Sequence, residues 1–290
     1  MSRLVAALGL LSAISAGLPS RALAVQEHDW LDVRSARQVG SIQAIDAEIH
    51  YGMGELSVAP APAGLLYDAR LRYDAAQFEP LREWRVEGGR AYLKFGLDEF
   101  DIEFDELSEA FDETGSLHFA VSRDVPTNLT LEMGAVSADL DLGGAALTGL
   151  TVRTGASETS IRFDTPNPET LNEMVFEVGA AEFEARKLGN AHFRHLSFEG
   201  GVGEIMLDLT GEWQESAEIE IKMGLGTLEL RVPRDVGIRV TKKSFLATFD
   251  HGDLQKVDGA YVSSNWDSAE IQLDINLKAT LGAIEINFAR

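Results

Sequence analysis

One ten-residue pattern recurs seven times and limits what this chain can fold into. It reads apolar-x-x-Gly-x-small-x-apolar-x-apolar. "IHYGMGELSV" starts at Ile49, "LEMGAVSADL" at Leu131, "VRTGASETSI" at Val152 and "FEVGAAEFEA" at Phe176. "FEGGVGEIML" starts at Phe198, "IKMGLGTLEL" at Ile221 and "LKATLGAIEI" at Leu277, where Thr280 replaces the first glycine. From Gly134 to Gly224 the glycines are spaced by 21, 24, 22 and 23 residues. A period of that length, filled with alternating residues, marks a solenoid. Leucine-rich repeats share the period, but their asparagine-bearing consensus is missing.

The expected fold is all-β: a single-domain β-solenoid, β-helix-like, with about 21–24 residues per coil and irregular capping strands at both ends. Coils should stack about 4.8 Å apart and point their alternating apolar side chains inward. Gly52, Gly134, Gly155, Gly179, Gly201 and Gly224 read as structural turn glycines, each closing one strand before the next begins. A phosphate-cradling loop would need a helix after the glycines; here a strand follows. Each coil also carries an upstream strand, as in "LTGLTV" (147–152), "FRHLSF" (193–198) and "AEIEI" (217–221). "DTPNPET", "KLGNA" and "TGEWQES" supply the turns between coils. Two intervals break the period, Gly52 to Gly134 and Gly224 to Thr280. Both read as extra coils or hairpins covering the terminal edges.

The first 24 residues have a different composition. Arg3 opens a basic region, "LVAALGLLSAISAGL" is apolar, and Ala22–Ala24 form an A-x-A site. This reads as a signal peptide cut after Ala24, and no later stretch is long and apolar enough to span a bilayer. The expected address is therefore the periplasm or the cell surface. Residues 25–39 read as a linker and 40–290 as the solenoid, irregular over 40–125, regular over 126–232 and capped by 233–290. Without cysteine, an exported chain must hold itself together by packing alone. The formal charge is −22, and loss of Arg3 and Arg21 with the leader makes it −24. Such a chain repels nucleic acid and anionic lipid surfaces.

Catalytic chemistry finds little support. Ser157 in "TGASET" lacks the glycine and the strand–turn–helix setting of a nucleophile elbow. His192 and His195 are three apart, on opposite faces of a strand, and read as solvent-facing loop or edge residues. The acidic run Asp98–Glu113 reads as a solvated face, with a Ca²⁺ or basic-partner site as the alternative. Glu158, Glu182 and Glu204 share one position of the pattern and should form an outward column. That column reads as a solvated stripe, with a weak Ca²⁺ site, helped by Asp139, Asp141, Glu184 and Asp208, as the sharper alternative. No cofactor is expected.

The run "VPTNLTLEMGAVSADLDLGG…LTGEW" and the tail "VPRDVGIRV…GAYVSSNWDSAEIQLDINLKATLGAIEINF" resemble the toast-rack family. Domains at the C-terminus of LiaF-type cell-envelope stress proteins and adhesin-like domains of unknown function share that fold. The resemblance implies a β-helical, exported, non-enzymatic bacterial protein. LiaF-type members regulate a membrane sensor kinase and carry transmembrane helices, which this chain lacks. The expected function is an envelope scaffold with a protein or polysaccharide partner, open to self-association through its solenoid edges. The alternative is a carbohydrate-binding or carbohydrate-active β-helix.

Overall fold

The computed structural model describes residues 28–97 and 115–289. The leader and the acidic run Asp98–Glu113 lie outside the described residues. The strands are β1 (Trp30–Gln38), β2 (Ala44–Pro60), β3 (Leu65–Asp74), β4 (Pro80–Glu87), β5 (Arg90–Leu97), β6 (Ser116–Val121), β7 (Thr127–Asp141) and β8 (Leu147–Arg162). They continue as β9 (Leu171–Arg186), β10 (Phe193–Asp208), β11 (Ala217–Val232), β12 (Gly237–Asp250), β13 (Gln255–Val257), β14 (Ala260–Val262) and β15 (Gln272–Phe288). All join one 15-stranded sheet ordered β1-β3-β6-β2-β7-β8-β9-β10-β11-β15-β12-β14-β13, with the β4–β5 hairpin attached to β2 through β5. The expected β-solenoid is the observed fold. The stretch read as a linker contains β1, paired antiparallel with β3.

The regular coils differ from expectation in one respect. The glycine does not separate two strands. Each long strand runs through it and bends there. In β8 buried residues alternate as Leu150, Val152 and Thr154 up to the bend and as Thr159 and Ile161 after it, so the alternation changes phase. The two halves of a strand thereby face each other across the core. Phe176 comes from the first half of β9 and Phe183 from the second, with ring centroids 5.1 Å apart; Phe198 of β10 lies 5.5 Å from Phe183. Burying such rings, about 2–3 kcal/mol apiece, outweighs the cost of bending a strand.

Corner loops close the third side. Asn167 is buried and bonds to the backbone of Leu147, Glu169 and Ala191, spanning three coils. Asn190 does the same for Phe163 and Glu212. These amides satisfy backbone groups that the loops leave without ladder partners.

The bends stack because of a steric constraint. A Cβ on Gly179 would lie 2.6 Å from the carbonyl oxygen of Gly155. On Gly201 it would lie 2.6 Å from Gly179 O, and on Gly224 2.5 Å from Gly201 O. The ladder pairs on either side, such as Met223–Gly200 and Leu225–Val202, bring the backbones that close. None of these three has a left-handed φ, so they are glycines for space. Two residues on, Gly226 has φ +138°, and a Cβ there would overlap Gly203 O.

Both irregular ends are built on the same plan. β5 pairs with the first half of β2 and β6 with the second, so together they form one coil interrupted at its bend. At the other end β12 is a further bent strand, though no glycine marks it. The C-terminal β15 inserts between β11 and β12 and pairs in parallel with both.

Two measurements test this reading. Gly226→Ala should lose about 1–3 kcal/mol of stability, and Glu229→Ala, exposed on the same strand, less than about 0.5 kcal/mol. Equal urea midpoints would refute the register. The second concerns the N-terminal tie. Burial alone would raise the Asp74 carboxyl, but His28, the Asp29 and Ala76 amides and Gln77 hold it below the usual range. A depressed folded pKa stabilises above the unfolded value, near 3.9, and that contribution is lost as pH falls through the folded value. Asp74→Asn should therefore destabilise at pH 7, with the gap to wild type closing in acid melts.

Candidate interaction surface

In-register stacking turns each position of the pattern into a column on the outer face. The residue after the bend glycine is Met53 in β2, then Ala135, Ala156 and Ala180, then Val202, Leu225, Leu281 and Leu246. From β7 onward the side chains thus grow along the solenoid from methyl to isobutyl. The last four are exposed, by 52, 44, 44 and 64%. They make a continuous apolar rib across β10, β11, β15 and β12. Scattered exposed leucines are ordinary; four in one column are not.

Charged columns flank the rib. Two positions before the bend glycine stand His50, Glu132, Arg153, Glu177, Glu199, Lys222, Lys278 and Lys243 in spatial order. Its middle is mutually compensated. Arg153 reaches Glu132 at 3.1 Å and Glu177 at 2.9 Å, and Lys222 pairs with Glu199. The hydrogen bond to Glu177 is the main cause that raises the Arg153 pKa further. The column ends in three lysines, of which Lys278 and Lys243 have no ion pair among the described residues.

On the other side of the bend the expected glutamate column is present. Glu158 pairs with Glu182, and Glu182 with Glu204, on adjacent strands, all exposed. The carboxylates named as helpers are engaged elsewhere. Arg162 holds Asp139 and Asp141, Arg186 holds Glu184 at 2.7 Å, and Asp208 is buried, accepting from the Thr210 amide.

Of the two histidines only His192 differs from expectation. His195 is exposed, 3.5 Å from Glu218. His192 is buried, not solvent-facing, because it follows a 3-10 turn (Leu188–Ala191) and sits at φ +53° in a corner loop. Its Nδ1 donates to Asn167 O at 2.8 Å. The six turn glycines all lie at bends, and Gly52, first in its column, has open space around it.

A cluster that sequence reading missed lies on the outer face of β2 and β7. Glu48, His50 and Glu132 bring ligand atoms within 4.8 Å of one another. His50 Nε2 bonds Glu48, and its Nδ1 stands 3.8 Å from Glu132. The His50 bond is the main cause that holds the Glu48 carboxyl below its usual range. Lys94, 3.2 Å away, and Arg153 compensate the two carboxylates. The groups could ligate a divalent cation, but each carboxylate already has a cation of the protein's own. Beside the cluster is a groove of about 440 Å³ lined by Asp46, Glu48, Trp84, Tyr92, Lys94 and Asn128 among others. Aligning the first two pattern copies would have shown His50 beside Glu132.

The exposed glutamate column generates a test. Neighbouring carboxylates about 4.8 Å apart repel by about 1 kcal/mol or less in water, and salt screens this. Changing Glu158, Glu182 and Glu204 together to Gln should raise the melting midpoint in low salt, and 0.5 M-scale salt should abolish the gain. A midpoint that falls, or a gain indifferent to salt, would show that the column is not simply a repulsive stripe.

A family model, the N-terminal domain of toast_rack (DUF2154), matches residues 25–184 and 167–231. No curated protein matches the chain. Among solved structures, a candidate cell adhesion protein from Clostridium sporogenes is 14% identical, with a TM-score of 0.49, over 90% of this chain and 100% of that one. A candidate adhesin from Bacteroides fragilis is 11% identical, with a TM-score of 0.36, over 88% of this chain and 97% of that one. Seven copies of one bent strand, stacked through a glycine column and matched by that family model over most of their length, make this chain a member of the toast-rack family.

Proposed function

We propose that this protein is a non-enzymatic interaction scaffold of the bacterial cell envelope, and that it binds along its bend line. The observation that carries the reading is the rib Val202–Leu225–Leu281–Leu246. It is apolar, continuous and exposed, and it is held on a rigid sheet. A row of pre-positioned apolar side chains loses little conformational entropy on binding and suits an extended partner surface. Export rests on the leader that ends at Ala24.

The carbohydrate reading rests on the groove beside Glu48, where Tyr92 and Trp84 stand among carboxylates and an amide. Two contacts weigh against it. Arg85 lies 4.2 Å over the Tyr92 ring and Arg37 4.2 Å over Trp84, so one face of each ring is already taken by a guanidinium.

Photo-crosslinkers at Leu225 and Leu281, compared with one at exposed Glu218, test the proposal in native envelope fractions. Adducts should form at the rib positions and be lost when Val202 and Leu246 are changed to Ser. Equal labelling at Glu218 and the rib, or labelling that survives those changes, would overturn it. Loss of envelope binding on Tyr92→Ala alone would favour the groove instead.

A further inference from the structure

The two ends of the solenoid are finished differently. At the N-terminal end antiparallel strands cover the stack, β3 against β6 and β4 against β5. At the other end the order is β15-β12-β14-β13, so the β13–β14 hairpin extends the sheet beyond the first part of β12. The short β14 pairs only with its Arg239 and Val240. Among the described residues, 241–250 have strand β15 on one side and no strand on the other. This is an open backbone edge carrying Leu246, the most exposed large apolar residue in the described chain. Such edges are templates for pairing.

The outer columns that reach this edge have an order. Before the bend Lys222, Lys278 and Lys243 stand in one column. At the bend stand Leu225, Leu281 and Leu246. After it stand Glu229, Glu285 and Asp250, all exposed. Like charges are therefore stacked at strand spacing on both sides of an apolar line. Lys243 and Asp250 lie three residues before and four after Leu246, on the free strand itself.

That pattern is self-complementary under a two-fold rotation. We propose that β12 is a dimerisation edge, and that its occupant is β12 of a second copy, running antiparallel. The rotation places Lys243 of each copy beside Asp250 of the other, with the two Leu246 side chains between them. Each lysine column then continues into a carboxylate column, and the rib continues through the dimer axis. Lys243 and Asp250, which have no ion pair among the described residues of one copy, gain opposite partners. A same-direction stack would place lysine on lysine and carboxylate on carboxylate. An isologous contact also closes, so it makes a dimer and not a fibre. The contact shares Leu246 with the rib, but its charge pairs, Lys243 and Asp250, lie outside the rib.

Sedimentation equilibrium of the mature chain tests this. Wild type should dimerise, more weakly as salt rises. Lys243→Glu or Asp250→Lys alone should each weaken the dimer by about a hundredfold, since each variant repels at two symmetry-related pairs. Both sites are exposed, and unchanged thermal melts would confirm that the variants fold. Mixing the two single variants should restore association as a heterodimer, because every 243–250 pair is then opposite in charge. The double variant should dimerise with itself. A wild type that stays monomeric, single variants that dimerise as well as wild type, a mixture that fails to associate, or species larger than dimers would each overturn the proposal.

Discussion

The fold depends on one close approach. At nearly every regular bend, a backbone carbonyl of one coil occupies the space where the next coil would carry a Cβ. Gly179 over Gly155, Gly201 over Gly179 and Gly224 over Gly201 are successive contacts of this kind. They let a long strand fold over its own core while its hydrogen-bonded ladder continues in register on both arms. Two hydrophobic faces and a loop wall then enclose a single core. Parallel strands are ordinarily joined by helices that cover the sheet; here the second arm of the same strand provides the cover.

This constraint is also why much of the fold was legible in the sequence. It acts on one residue per coil at fixed spacing, and so leaves a pattern in the chain. Where it relaxes, the pattern fails. β12 carries Phe245, Leu246 and Ala247 at its bend, and its sequence holds no copy of the pattern. The coil made of β5 and β6 was unreadable because the chain leaves it at the bend. Spatial order was illegible too, since the C-terminal β15 lies between β11 and β12. The clue was present: "IKMGLGTLEL" and "LKATLGAIEI" are the two most alike copies, and they are neighbours in the sheet.

The same logic divides the candidate sites. Glu158, Glu182 and Glu204 fall in consecutive copies, so their column could be counted out. His50 and Glu132 share a position of the first two copies, but β3 to β6 intervene in sequence between those copies, so nothing in the spacing marked the two strands as neighbours. His192 failed for a different reason. Strand periodicity was applied to a residue in a corner loop, where left-handed φ and a bond to Asn167 O decide its burial.

In-register stacking makes every outward choice cumulative. One leucine at the bend is a surface residue; three, extended by Val202, are a surface of their own. One lysine beside a carboxylate is neutralised, as Lys222 is by Glu199, whereas Lys278 and Lys243 stack onto it with no carboxylate of their own coil. In the column before the bend, β7 to β9 avoid accumulation by alternating, with Arg153 between Glu132 and Glu177, and they keep alanine at the bend. The C-terminal coils accumulate in three columns at once, and they do so where the sheet is left open. An inert end could be made by repeating the N-terminal scheme, which this chain already contains. The departure from it at β11, β15 and β12 is local, coherent across columns and costly in charge repulsion, and the proposed contact surface rests on that departure.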